Sequence, residues 1–191
     1  MLPSLRAPST FSGLPPPLGN ALVRWCGVAD GIARFNEPDI PSQANMSPQQ
    51  AAEKYRQYMM PYAGKVQLGA PAVTNSGTPG QGLDWLRQFL QACHDCTIDF
   101  VPMHWYDVTG NVDYFKKHMN DARGVAGGRK LWLTEFGVPS ADQGRQVNFL
   151  RAVLPWMDAQ PWIERYSYYG VFEGLLLQGG SVSAAGSAYS A

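Results

Sequence analysis

The sequence predicts an α/β chain of barrel type, a partial (β/α)8 TIM barrel, and three observations point there. Five short apolar runs alternate with amphipathic segments. The runs begin near residues 31, 66, 100, 131 and 166, a spacing of 31 to 35 residues that suits one strand and one helix per unit. No glycine-rich phosphate loop follows any run, which turns the reading away from a doubly wound nucleotide-binding sheet. Acidic and aromatic residues stand instead at the C-terminal ends of the runs, the face on which barrel enzymes carry their chemistry.

The first strand is expected over Gly31–Asn36. A residue before proline is pushed out of helical space, so Glu37 is expected to stay extended while Pro38 removes a ladder donor and ends the strand. Ser47-Pro48-Gln49-Gln50 reads as a capping box, and Ala51, Tyr55, Tyr58, Met59 and Tyr62 follow at helical spacing. The second strand covers Val66–Val73, and a helix then presents Leu83, Leu86, Phe89, Leu90 and Cys93 on one face. A third strand, Phe100–Tyr106, leads to a helix carrying Phe115, Met119 and Ala122 ahead of Gly124 and the Gly127-Gly128 pair. After a fourth strand, Leu131–Phe136, Ser140 to Gln143 repeats the S-x-x-Q cap before Val147, Leu150 and Leu154. The fifth strand is Tyr166–Phe172. Residues 1–20, with three consecutive prolines, read as an irregular lead-in, 21–180 as the barrel domain, and 181–191 as a flexible tail. Eight units would need roughly 250 residues, so five make only part of a barrel.

Composition narrows the ligand. Hydrophobic residues are 45% and charged residues 16%, with Lys plus Arg equal to Asp plus Glu at 15 each. No basic stripe or acidic tail stands out, so neither nucleic acid nor membrane is an expected partner. A neutral ligand fits better, and the six Trp and nine Tyr could stack on sugar faces, although most such rings are core. No apolar run approaches the roughly 18–20 residues of a membrane span, and no secretory signal is visible at the N-terminus. Cys93-His94-Asp95-Cys96 lacks a second ligand pair, and His104 and His118 lie at no ligand spacing, so no metal and no cofactor are expected. A local disulfide or two packed thiols suits that pair better than a redox or zinc role.

Two glutamates carry the chemistry. Asn36-Glu37-Pro38-Asp39 and Thr134-Glu135-Phe136-Gly137 each end an apolar run with one carboxylate, the minimal equipment for cleaving a glycosidic bond. Strand alternation places Glu135 on the lumen side with Leu131 and Leu133, leaving Trp132, Thr134 and Phe136 toward the helices. The same alternation aligns Phe100, Pro102, His104 and Tyr106. Trp105, Trp132, Trp156 and Trp162 read as packing residues. Asn36 could offer its amide to a sugar hydroxyl, Asn75 lies just beyond the second strand, and Asp39 and Asp99 read as structural hydrogen-bonding residues.

These motifs resemble the fungal glycosyl hydrolase catalytic-core proteins, similar to glycoside hydrolase family 128 and the alkali-sensitive-linkage protein of yeast walls. The resemblance rests on the two glutamate motifs together with Leu68-Gly69-Ala70-Pro71-Ala72-Val73-Thr74-Asn75, the block Cys93 to Phe100, His104-Trp105-Tyr106 and the Arg165–Gly170 strand. It implies endo-acting, retaining hydrolysis of β-1,3-glucan, a polysaccharide partner, and an extracellular or cell-wall location. Glu37 would be the general acid/base and Glu135 the nucleophile, about 5–5.5 Å apart, with Glu37 protonated near neutrality and Glu135 ionised. His104 and Tyr106 would orient Glu135 and the sugar, Asn36 and Asn75 would contact substrate, and Tyr168 falls where a Trp platform is common. The resemblance also implies that the present strands correspond to about the fourth to eighth of the barrel, with the first three units largely missing. The alternative is a catalytically inactive, truncated barrel that binds glycan weakly or is only structural.

Overall fold

Neighbours in sequence are neighbours in the sheet. The computed structural model describes residues 31–33 and 35–191; the expected lead-in, Cys26 and Arg34 lie outside the described residues. Strand β1 (Gly31–Ile32) pairs in parallel with β2 (Gln67–Leu68), and β3 (Phe100–Tyr106) pairs in parallel with β4 (Lys130–Gly137), which pairs with β5 (Ile163–Tyr168). Single parallel bridges, Asn36↔Ala72, Gly69↔Phe100 and Val73↔Met103, continue the ladder from the β1 run to the β2 run and on to β3. A helix stands between each successive pair: α1 (Pro48–Tyr58), α2 (Gly82–Ala92), α3 (Val112–Ala126) and α4 (Gln143–Asp158). A doubly wound sheet reverses its strand order at a switch point, and this one does not.

The helix signals hold with two changes. Ser47 caps α1, its hydroxyl accepting from Gln50 N while the Gln50 side chain accepts from Ser47 N. The helix α3 runs through Gly124 and stops at Gly127, whose φ of 61° a side chain would oppose. The expected Ser140 cap is displaced: Asp142 caps α4 by accepting from Arg145 N. Gln143 is thereby freed to donate to the carbonyls of Gly174 and Leu175.

Packing reverses the alternation expected for Leu131–Thr134 of β4, while Glu135 and Phe136 face as expected. Leu131, Leu133 and Phe136 lie in the helix-side core with Val101, Met103 and Trp105 of β3. Trp105 is fully buried, stacked on Phe149 at 5.3 Å and edge-on to Phe115 at 5.0 Å. Trp132 and Thr134 line the opposite, concave face with Phe100, Pro102 and His104. There the Trp132 ring stacks on Phe100 at 3.7 Å, under the Arg165 guanidinium. A β-bulge reconciles the two patterns. The register passes from Met103↔Leu133 to His104↔Glu135, skipping Thr134, so Glu135 joins Trp132 on the concave side although their positions differ by an odd number. Strict alternation cannot detect an inserted residue.

Residues 181–191 form ordered structure, correcting the expected flexible tail. β6 (Leu177–Gln178) and β7 (Ser181–Val182) make an antiparallel hairpin, followed by α5 (Ala184–Tyr189) packed on α4. Small residues here serve close approach: a Cβ on Gly186 would lie 2.4 Å from the Leu176 carbonyl oxygen. The Tyr189 hydroxyl accepts from Tyr168 N. Cys93 and Cys96 are joined by a disulfide at the C-terminal end of α2, the structural option among those expected. Among the described residues no helix is long and apolar enough to cross a membrane.

One buried group sets a pH dependence. His118 on α3 is buried with its Nε2 unpartnered, and desolvation pushes its pKa from 6.5 down to about 4. Its neutral form is favoured in the folded state, so the unfolded chain binds the extra proton as pH falls through 6.5 toward 4. Stability is therefore expected to be present above pH 6.5 and to decline by at most about 3 kcal/mol across that window. Urea melts at pH 7 and pH 4.5 test this. A His118→Gln chain should show a shallower decline, and an unchanged slope would refute the assignment.

Candidate active site

Glu37 is hung from the neighbouring strand. Its own N–H donates to the Ala72 carbonyl at 2.8 Å, and its φ is 42°, with Phe35 also in the left-handed region at 69°. The expected extended conformation is therefore corrected. Proline restricts the preceding residue away from right-handed helical space, and here the left-handed region is taken. Such a conformation costs about 1–3 kcal/mol per residue and persists only where the surroundings over-determine it. Asp39 supplies that determination. Its buried carboxylate accepts from Thr74 N at 3.2 Å, from the Thr74 hydroxyl at 2.5 Å and from Gly82 N at 2.9 Å. The loop carrying Glu37 is thus clamped both to the end of the second strand run and to the first turn of α2. Gly82 has φ +53°, and a Cβ there would meet the Ser76 carbonyl oxygen at 2.2 Å, so only glycine closes this clamp. Asp99 is likewise structural, accepting from Leu68 N at 2.7 Å.

β3 and β4 deliver the other half. His104, 2% exposed, places Nδ1 2.8 Å from Glu37 Oε1 and 3.5 Å from Glu135 Oε2. The Tyr106 hydroxyl donates to Glu135 Oε2 at 2.6 Å. An ionised carboxylate can only accept, so Nδ1 carries its proton whenever Glu37 is ionised, and the roles reverse when Glu37 is protonated. Burial, then the Glu135 carboxylate, raises the Tyr106 pKa far above the ordinary tyrosine range, so this hydroxyl remains a donor. A carboxylate oxygen of each glutamate and a ring nitrogen of His104 all lie within 4.8 Å of one another. Such a trio has the donor types to hold a divalent cation. It equally suits acid–base chemistry, in which one carboxyl protonates a leaving oxygen while its partner attacks the carbon that oxygen leaves.

The remaining sequence-predicted residues fall in three places. Asn36 lies beside the site on the concave face, its amide donating to Gln43 Oε1 at 3.3 Å. Asn75 turns its amide to the main chain of Tyr106, donating to the carbonyl at 2.9 Å and accepting from the N–H at 3.1 Å. This hydrogen bonding occupies the groups expected to meet substrate. Tyr168 is corrected outright: it is 3% exposed, packs edge-on to Phe136 at 5.3 Å, and its hydroxyl reaches Gln146 Oε1 and Val138 N. It belongs to the helix-side core. The ring at the mouth is Tyr169, edge-on to Tyr106 at 5.3 Å and 40% exposed. Its N–H donates to Phe136 O, which places it one residue beyond the ladder pair Phe136↔Tyr168. The resemblance points to Tyr168, but pairing with the helix-side Phe136 turns Tyr168 inward and leaves the next residue at the mouth.

With this geometry established, comparison with known proteins is direct. A family model described as the glycosyl hydrolase catalytic core matches residues 29–189. The chain belongs to this family. Among its relatives is alkali-sensitive linkage protein 1 of Schizosaccharomyces pombe (strain 972 / ATCC 24843), 34% identical over 166 residues; the match takes in 80% of this chain but only 29% of that protein's length. Among solved structures, a curdlan-specific exo-β-1,3-glucanase of glycoside hydrolase family 128 from Blastomyces gilchristii, in complex with glucose, superposes with a TM-score of 0.77 at 44% identity. That likeness covers 84% of this chain and 69% of the other. A family 128 endo-β-1,3-glucanase from Amycolatopsis mediterranei, in complex with laminaritriose, superposes at 0.70 with 28% identity, covering 84% and 71%. The catalytic-core family thus accounts for the α/β fold of this chain.

Proposed function

We propose that this catalytic-core chain hydrolyses β-1,3-glucan with retention of anomeric configuration, Glu37 acting as general acid/base and Glu135 as nucleophile. The observation that carries the reading is the approach of the two carboxylates, with oxygens inside 4.8 Å. Retaining glycosidases hold their carboxyl groups about 5–5.5 Å apart, whereas inverting enzymes need about 6.5–9.5 Å to admit water between them. His104 bridges the pair and passes orientation from one to the other, and Tyr106 holds Glu135 by its hydroxyl. Substrate identity is supported by the likeness to the Blastomyces and Amycolatopsis β-1,3-glucanases. The first is exo-acting and the second endo-acting, so the endo mode expected from sequence is tested by the length of early products.

In this reading the five parallel strands correspond to about the fourth to eighth of a (β/α)8 barrel. An extracellular or cell-wall location belongs to the same proposal and is supported by the Cys93–Cys96 disulfide, a bond that persists in oxidising compartments. The test is incubation of the purified chain with laminarin and curdlan, following reducing ends and the anomeric proton of the first product by NMR. β-Anomer formed first supports retention. α-Anomer formed first overturns it.

A second reading has its own support. Among the described residues β1 and β5 each have a single strand neighbour, leaving the concave wall open on two sides. A chain that retains laminarin in affinity electrophoresis yet releases no reducing sugar would be a glycan-binding, non-hydrolytic member. Either way Tyr169, exposed at the mouth, is expected to stack on a sugar face. Tyr169→Ala should raise KM, or the dissociation constant, about tenfold with kcat within twofold. An unchanged value would remove Tyr169 from the site.

A further inference from the structure

We infer that Asn75 is a positioning residue, acting through Tyr106 on Glu135, and not a sugar contact. This rests on the proposed role of Glu135. The second strand run makes its last bridge to β3 at Val73↔Met103, where His104 N donates to Val73 O. Two residues further on, the Asn75 side chain takes over from the main chain. Its amide donates to Tyr106 O at 2.9 Å and accepts from Tyr106 N at 3.1 Å, reproducing the reciprocal hydrogen bonds of a ladder rung with a primary amide in place of a peptide. The main-chain partners dictate which amide atom is oxygen, because Tyr106 N can only donate and Tyr106 O only accept.

The second N–H of the amide is also engaged. Asn75 Nδ2 lies 3.0 Å from the hydroxyl of Tyr114, which in turn donates to Asn75 O at 3.0 Å. Tyr114 sits in the first turn of α3, behind the Asn111 cap. Asn75 is therefore gripped from α3 and grips the last residue of β3. That residue's hydroxyl makes the 2.6 Å hydrogen bond to Glu135 Oε2. Both donors of the amide and one lone pair of its oxygen are committed, so a sugar hydroxyl would find one acceptor site at most. Asparagine is required by this arrangement. Aspartate has the same shape but would set a second acceptor against the Tyr106 carbonyl, and alanine would leave both main-chain groups of Tyr106 without their partner.

The experiment compares Asn75→Asp, Asn75→Ala and Tyr114→Phe with the parent chain by steady-state kinetics on laminarin. Alongside, proton NMR follows the downfield resonance of the Tyr106 hydroxyl, assigned by its loss in Tyr106→Phe. Positioning predicts that Asn75→Asp lowers kcat about 10- to 100-fold with KM within twofold, the scale expected when a reacting group is displaced by up to about 1 Å. It also predicts that the hydroxyl resonance is lost or moved upfield in both Asn75 variants, and that Tyr114→Phe gives an intermediate effect. A raised KM at unchanged kcat, with the resonance retained, would make Asn75 a substrate contact and overturn the inference. A parent chain that hydrolyses no β-glucan would sink the hydrolytic reading alone; the resonance then decides. Loss in Asn75→Asp upholds the link to Tyr106, and persistence overturns it.

Discussion

A Glu135→Gln chain is expected to lose β-1,3-glucan hydrolysis by about a thousandfold or more while melting at the temperature of the parent. The amide has the shape of the carboxylate but no charge with which to attack an anomeric carbon. The hydrogen bond from Tyr106 can persist, since Gln still offers an acceptor, so the fold has little to lose. Glu37→Gln should behave differently by substrate. It removes the proton that a sugar leaving group requires, a loss of about 10²–10⁴-fold in kcat/KM on laminarin, but kcat/KM should be spared for an aryl β-glucoside whose phenolate departs unprotonated. Equal losses on both substrates would contradict the division of roles. Because His104 Nδ1 lies within 3.5 Å of both carboxylates, either change also alters a neighbour of the other glutamate. The double variant is therefore expected to cost less than the sum of the single ones.

Asp39→Ala is expected to have the largest effect on stability of any change outside the helix-side core, about 3 kcal/mol by urea denaturation. It leaves two N–H groups, of Thr74 and Gly82, without their acceptor in a buried place, and releases a tether that crosses from the Glu37 loop to the first turn of α2. Activity should fall as well, about 10- to 100-fold, because Glu37 would no longer be held in its left-handed conformation opposite Glu135. Asp39→Asn is the informative control: it preserves volume but turns an N–H toward donors, so it should lose both stability and kcat. An Asp39→Ala chain that melts and turns over like the parent would show that the clamp does not govern the site.

Much of this was legible from residue order alone. The spacing of apolar runs implied five β/α units, and five parallel strands in that order are present. Turn-forming residues after the two glutamates implied carboxylates at strand ends, and they meet at one mouth. The capping box at Ser47 was correct because its hydrogen bonds are local, made within one turn of chain. What failed was long-range or depended on counting. Strict alternation puts Leu131 and Leu133 on the side of Glu135, and a single bulged residue moves them to the other. The resemblance points to Tyr168, whereas pairing with Phe136 turns that ring into the helix-side core and leaves Tyr169 at the mouth. Residues 181–191 looked loose because they are small, whereas smallness is what lets α5 seat against the Leu176 carbonyl.

The amino-acid order by itself determined which groups are present to do chemistry, two carboxylates, an imidazole and a phenol, and that each stands where a strand stops. It could do so because strand period, proline restriction and helix caps act over a few residues. Only the tertiary structure decided that Glu37 hangs from Ala72, that a bulge turns Glu135 inward, and that the Asn75 amide pairs with the main chain of Tyr106. Each of those depends on hydrogen bonds between segments 30 or more residues apart, whose pairing is set by the closing of the sheet and not by any neighbour along the chain.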